Sequence, residues 1–403
     1  MDTKTRIKLE GARLASASAA SALCALAVIS SLAAPPAHAD TAARAKAVLL
    51  HQRLTGVPPT AADLNTMEPL IASDPLSAAA VATGKPQFYN VTLKNIFLPA
   101  TNRDQSVFVP LNDYVVTAIG MIKDDVPFNT ALSADILYTL KASGLPAPSA
   151  TNNDHYATAE TNNVDISANL QKTTQSGLYQ NVAPAGLITT RASSSAFFIN
   201  GTNRAMFRFT LVNHLCRDME QVQDTSRPTD QIRQDVASSP GGDSRVYLNN
   251  CIGCHSGMDP MARAFAYYNF DTTSNMTVYT AGKVNAKYTI NSTNNRFGFV
   301  TPDDTWSNRW IAGPNAIPLG FDSTLPHTGT GAASLGQELA ASDAFADCQV
   351  TKAFKAVCLR APANATDTAA VTSIKARFKA NGYKMKQVFA DAAVYCTVTG
   401  TPP

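Results

Sequence analysis

A chain of 403 residues with 33 Lys and Arg against 30 Asp and Glu has a formal charge of only +3, too small a basic excess for a nucleic-acid-binding face. Charged residues are 16% of the chain, so Ser, Thr, Asn and Gln must supply much of its polar surface, and the length predicts two or three domains rather than one simple core. After the first forty positions no run of about twenty apolar residues occurs, which excludes an integral membrane helix from the expected mature chain.

The first element is an export signal over residues 1–39. Lys4, Arg6, Lys8 and Arg13 form a basic start, an alanine-rich apolar stretch runs from Leu14 to Ala34, and Ala37-His38-Ala39 has the small-x-small pattern of a cleavage site before Asp40. An uncleaved anchor fits less well, because Ser16, Ser18, Ser21, Ser30 and Ser31 dilute the run; a lipoprotein site at Cys24 has the wrong neighbour in Leu23. Cleavage removes four basic and two acidic residues, leaving 29 against 28, a net charge of about +1. The expected location is the periplasm.

Residues 40–190 read as an N-terminal helical domain. Asn112 is placed to cap a helix in which Tyr114, Val115, Ala118, Ile119 and Ile122 recur at helical spacing, and Asp124-Asp125-Val126-Pro127 ends it. Ala134 to Leu140 reads as another helix, and the Asn-, Thr- and Gln-rich stretch from Thr151 to Gly186 as loops with short helices. Residues 191–330 form the next expected domain. Asn203 to Met219 predicts an amphipathic helix, Pro240-Gly241-Gly242-Asp243 a turn, and Ser244 to Ser256 a short helix that Pro260 follows and closes. Val278-Tyr279, Tyr288-Thr289-Ile290 and Phe297–Phe299 are candidate hairpin strands. Residues 331–403 form a C-terminal helical domain, with helices over Ala344 to Leu359, Thr366 to Ala380 and Met385 to Cys396. The expected fold is therefore mainly α and multi-domain, with a small β-hairpin region after the Ser244 to Ser256 helix.

That helix carries Cys251-Ile252-Gly253-Cys254-His255. On an α-helix, positions i, i+3 and i+4 share a face. Two thiols so placed can add to the two vinyl groups along one porphyrin edge, and the next imidazole then reaches the iron as its proximal ligand. The motif predicts one covalently bound haem c, attached through Cys251 and Cys254, with His255 as cofactor-binding and metal-ligating residue. Gly253, lacking a side chain, leaves the ring edge unobstructed. A structural zinc site would need a second ligand pair, and Cys348 and Cys358 lie nine residues apart in one predicted helix. A thioredoxin-like redox pair would want a preceding strand and a βαβ setting. Phe265, Tyr267, Tyr268 and Phe270 are candidate cofactor walls or ordinary core. Met276, Met385, His155, His214 and His327 are the candidate distal ligands, and an open distal side is the other possibility.

The run Cys251-Ile252-Gly253-Cys254-His255-Ser256-Gly257-Met258-Asp259-Pro260, with Ala264-Phe265 and Phe270-Asp271, resembles the C-x-x-C-H-x-x-[IM]-D-P…F-[DE] block of the large exported cytochrome c proteins first noted in planctomycetes. Asp125-Val126-Pro127-Phe128, Leu215-Cys216 and the run from Leu339 to Cys348 with Phe378, Gly382-Tyr383 and Val388-Phe389 are similar to their flanking helical elements. The chain departs from them at Leu359-Arg360, where many have Gly-Arg, and at Met261-Ala262, where a Gly soon follows Asp-Pro. The resemblance implies architecture more than role. The leading expectation is a periplasmic monohaem cytochrome that passes single electrons to a redox partner protein. A haem enzyme with an open distal site, or an electron-relaying subunit of a larger complex, is the alternative. No G-x-S-x-G, H-E-x-x-H or P-loop pattern points to another chemistry.

With Cys24 of the signal and the motif pair set aside, four of the seven cysteines remain: Cys216, Cys348, Cys358 and Cys396. An even number in an exported chain favours disulfides over free thiols. Cys348 and Cys358 would lie about 15 Å apart along one helix, at a rise of about 1.5 Å per residue, beyond the reach of a bridge. An up-down-up bundle places the ends bearing Cys358 and Cys396 together, which leaves Cys216 for Cys348.

Overall fold

Asn112 caps the central helix as expected, its side-chain oxygen accepting the Val115 N–H at 3.2 Å. In the computed structural model, which describes residues 41–402, this helix runs from Asp113 to Lys123 with Tyr114 to Ile122 buried throughout. The expected signal segment, its cleavage site and Cys24 lie outside the described residues. A helix buried on all sides needs close partners. At Gly120 a Cβ would collide with the Tyr138 ring, so only glycine lets the strand Leu137–Leu140 lie against the helix.

Asp40–Pro403 forms one compact unit. Its apolar core is continuous from Ala47 in the helix Thr41–Thr55 to Tyr395 near the C-terminus. The segments 40–190, 191–330 and 331–403 thus contribute to one shared core. The helices Asp343–Cys358, Ala365–Ala380 and Met385–Val394 pack on one another as a bundle, and the last also packs on Pro75–Thr83 from the N-terminal segment. Ser342 and Asn364 cap the first two, accepting from Phe345 N–H at 3.2 Å and Asp367 N–H at 2.8 Å. The helix Arg204–Leu215 packs on Asp343–Cys358 and is tied to it by a disulfide from Cys216 to Cys348, with Cα atoms 5.2 Å apart. Cys358 pairs with Cys396 at a Cα separation of 5.6 Å. Both are the pairs expected from the bundle order.

The fold is mainly α with three two-stranded antiparallel sheets, and among the described residues no helix is long and apolar enough to cross a membrane. Four expectations change. Leu137–Leu140, read as helical, is a strand paired with Leu170–Thr173; all four of its residues are buried, so the sequence shows neither period. The amphipathic helix stops at Leu215 rather than Met219, because Cys216 turns left-handed at φ 53°. Met276–Tyr279 does form a hairpin strand, but with Tyr268–Asp271; Tyr288 lies in a 3-10 turn, and Phe299 makes only a single bridge to Arg233. Pro260 does not close its helix, which continues to Ala262 and then as a 3-10 turn to Phe265. Packing of that helix on every other side outweighs the lost N–H bond.

Candidate functional site

The chain approaches the motif through a turn of helix at Ser244–Val246 and a wider π-type turn at Tyr247–Cys251. No residue from Gly241 to Cys251 is buried. From Ile252 the pattern reverses. Every residue from Ile252 to Ala266 is buried except Cys254 and His255, which with the half-exposed Cys251 just before them form the open side of the helix.

Its enclosed sides are held by specific contacts. Asp224 N–H donates to Gly253 C=O at 2.8 Å, and Ser256 Oγ donates to Asp224 C=O at 3.0 Å, fixing the segment around Val222 along one side. On another side Gly257 admits the Trp310 indole, which any Cβ there would overlap. Gly253 faces Gln223 and Thr225, where a Cβ would make ordinary contact. Its small size therefore does not serve the open face, contrary to expectation.

The open face joins two apolar surfaces. Cys251 and Tyr247 pack on a small separate cluster of Ile232, Val236 and Ile252, whereas Cys254 packs at the edge of the main core. Leu248 and Val246, both exposed, lie in the approach to this face. Burial pushes the Cys254 thiol above its usual range, partly offset by a hydrogen bond with Gln223.

His255, 20% exposed, is oriented from behind by Asp259, one helical turn on, which is fully buried. The Nδ1–Oδ1 distance is 3.1 Å. Burial alone would raise the Asp259 carboxyl, but the adjacent Arg204 charge and the His255 hydrogen bond hold it well below the carboxylate range. An ionised carboxylate only accepts, so Nδ1 is the donor in this bond, and Nε2 is the ring nitrogen that Asp259 leaves unengaged. Arg204 donates to Asp259 from Nε at 2.7 Å and Nη2 at 2.9 Å, and to Asp235 from Nη1 at 2.6 Å and Nη2 at 2.9 Å. Sequence reasoning did not assign Asp259 a role or find Arg204, 55 positions away. The i, i+4 spacing of His255 and Asp259 was the available signal.

Comparison with protein-family models, with curated proteins and with solved structures finds no match.

Two rival chemistries fit that geometry poorly. Among the described residues the remaining cysteines sit in disulfides, so no second thiol pair there completes a zinc cage. A reactive thiolate of the thioredoxin kind draws on free N–H groups at a helix start, but Ser244 to Cys251 is already helical and uses them. Of the four aromatic residues read as cofactor walls or ordinary core, Phe265, Tyr268 and Phe270 belong to the core. Phe265 and Tyr268 pack on Phe198 at centroid distances of 5.6 and 5.2 Å, and Tyr279 covers Tyr267 and Tyr268.

The distal candidates are spread through the fold. His155 has both ring nitrogens engaged, by Leu140 N–H at 3.1 Å and Pro146 C=O at 2.7 Å. His214 is buried against Tyr114 and Phe345, and Met385 in the C-terminal bundle. His327 is held by Glu338 at 2.8 Å. Met276 lies half-buried in its hairpin strand.

Proposed function

We propose that this chain is an exported monohaem c-type cytochrome that relays single electrons in the periplasm to a redox partner protein. The observation that carries the proposal is the open face itself. Where an exposed helical turn passes into an enclosed helix, the chain leaves two thiols and one imidazole half-exposed at the edge of two apolar clusters. Cys251 and Cys254 would hold the haem as thioethers, and His255 would offer Nε2 to the iron while Asp259 keeps the ring oriented. Bound there, the haem supplies a one-electron couple. The chain's own residues would hold the group, with the hydrogen bond to Asp259 keeping the proton on Nδ1 of His255.

The resemblance of Cys251 to Pro260, and of the flanking elements, to exported planctomycete-type cytochrome c proteins supports the same reading. Two disulfides agree with an oxidising compartment.

A second reading, a haem enzyme with an open distal side, draws on one observation: four of the five candidate distal residues are committed to contacts elsewhere. Absorption spectra of the oxidised and reduced holoprotein, with added carbon monoxide, separate the two. The carrier reading expects six-coordinate low-spin iron with slow, partial carbon monoxide binding. Rapid and complete binding by a high-spin iron would favour the enzyme.

A further inference from the structure

Asp259 has no acceptor position to spare. Oδ1 receives the His255 Nδ1–H and Arg204 Nε–H, and Oδ2 receives Arg204 Nη2–H and, at 3.1 Å, the Arg233 backbone N–H. Arg204 is in turn shared with Asp235, and Asp235 lies 3.4 Å from the Arg233 guanidinium. Arg233 is only 1% exposed and rests over the Tyr288 ring, 4.6 Å from its centroid. Behind one half-open imidazole the fold therefore stacks carboxylate, guanidinium, carboxylate and guanidinium in alternation.

Stability alone is a weak reason for that arrangement. A buried ion pair commonly does no better than apolar side chains of the same volume, because desolvation offsets the attraction. What the array does fix is the character of His255. A ligand histidine whose second nitrogen donates to a carboxylate is a stronger donor, and outer partners of this kind tune the metal they never touch. The array also limits the effect, since Arg204 draws part of the Asp259 charge to itself and Asp235 draws part of Arg204.

Resting on the haem reading above, the geometry points to Asp259 as a positioning residue that lowers the reduction potential of the His255-bound haem, with Arg204 and Asp235 setting how much carboxylate charge reaches the imidazole. A stronger donor favours the oxidised iron, so weakening it must favour reduction.

Redox titration of haem-loaded full-length protein tests this, comparing wild type with Asp259→Asn and Asp235→Asn. Asp259→Asn keeps an acceptor for Nδ1–H but removes the charge. At a fixed applied potential its ratio of reduced to oxidised haem should rise about tenfold or more, equivalent to about 59 mV for a one-electron couple. Asp235→Asn leaves more of the Arg204 charge for Asp259 and should move the ratio the same way by less. A ratio within about twofold of wild type in Asp259→Asn, or a larger shift in Asp235→Asn than in Asp259→Asn, overturns the inference. Should Asp259→Asn fail to accumulate, Asp235→Asn decides alone, and no change in its ratio is fatal. A wild type without covalent haem would sink the haem reading as well, whereas a haem-bearing wild type indifferent to Asp259 sinks only this inference.

Discussion

At the scale of single residues, burial decides which titratable groups stay neutral. His214 is enclosed by Tyr114 and Phe345, and burial, aided by the Lys352 charge, lowers it to about 3. Unfolded, the same ring titrates at about 6.5. The folded state therefore binds fewer protons between those values, and stability is lost as pH falls from about 6.5 toward about 3. At about pH 4.5 this costs on the order of 2–3 kcal/mol. Urea unfolding at about pH 7 and about pH 4.5 should show that loss in wild type and a shallower one in His214→Gln, which cannot take the proton. Identical slopes would mean that His214 is not held neutral by its surroundings. The residues of the candidate site were legible for a different reason: Cys251, Cys254 and His255 lie within five positions, and their spacing alone puts them on one face. Arg204 was not, because nothing local links it to a carboxylate 55 positions on.

At the scale of elements, periodicity and caps located most helices. Asn112, Ser342 and Asn364 begin theirs, and the left-handed Leu359, at φ 55°, ends the one before it. What failed lacked such signals. Leu137–Leu140 is buried on both faces and too short to show a period, and its partner Leu170–Thr173 is largely polar. Pro260 was read as a stop because its local preference is strong, yet contacts from Trp310 and from Tyr288, whose hydroxyl donates to Ala262 C=O at 3.1 Å, carry the helix through it. The Gly257–Trp310 contact gives a direct test of how that helix is held. Gly257→Ala should force the indole outward and destabilise the protein by about 1–3 kcal/mol. A thermal melt followed by tryptophan fluorescence measures it. An unchanged melt and emission would show that the helix can shift to accommodate the methyl group.

At the scale of the whole molecule, two covalent ties hold the last helices. The Cys216–Cys348 bridge closes 132 positions and joins the helix before the Cys251–His255 segment to the C-terminal bundle; Cys358–Cys396 closes 38 positions inside that bundle. On the chain-entropy account each contributes about 2–4 kcal/mol, the longer loop more. Replacing Cys216 and Cys348 together by Ser should lower the urea midpoint further than replacing Cys358 and Cys396, with non-reducing peptide maps identifying the bonds. The reverse order would indicate that local packing rather than loop closure dominates. The bundle order behind these pairings was legible from three helices and two short connections, whereas the single shared core was not, since it depends on N-terminal helices meeting C-terminal ones.

Acid-acetone extraction tests most directly whether haem is bonded to Cys251 and Cys254. Full-length protein matured with c-type haem machinery should retain one haem per chain in the precipitate. The double variant Cys251→Ala, Cys254→Ala should release whatever it holds, and His255→Ala should keep covalent haem but lose the low-spin spectrum. Passage of the wild-type haem into the acetone would contradict the account.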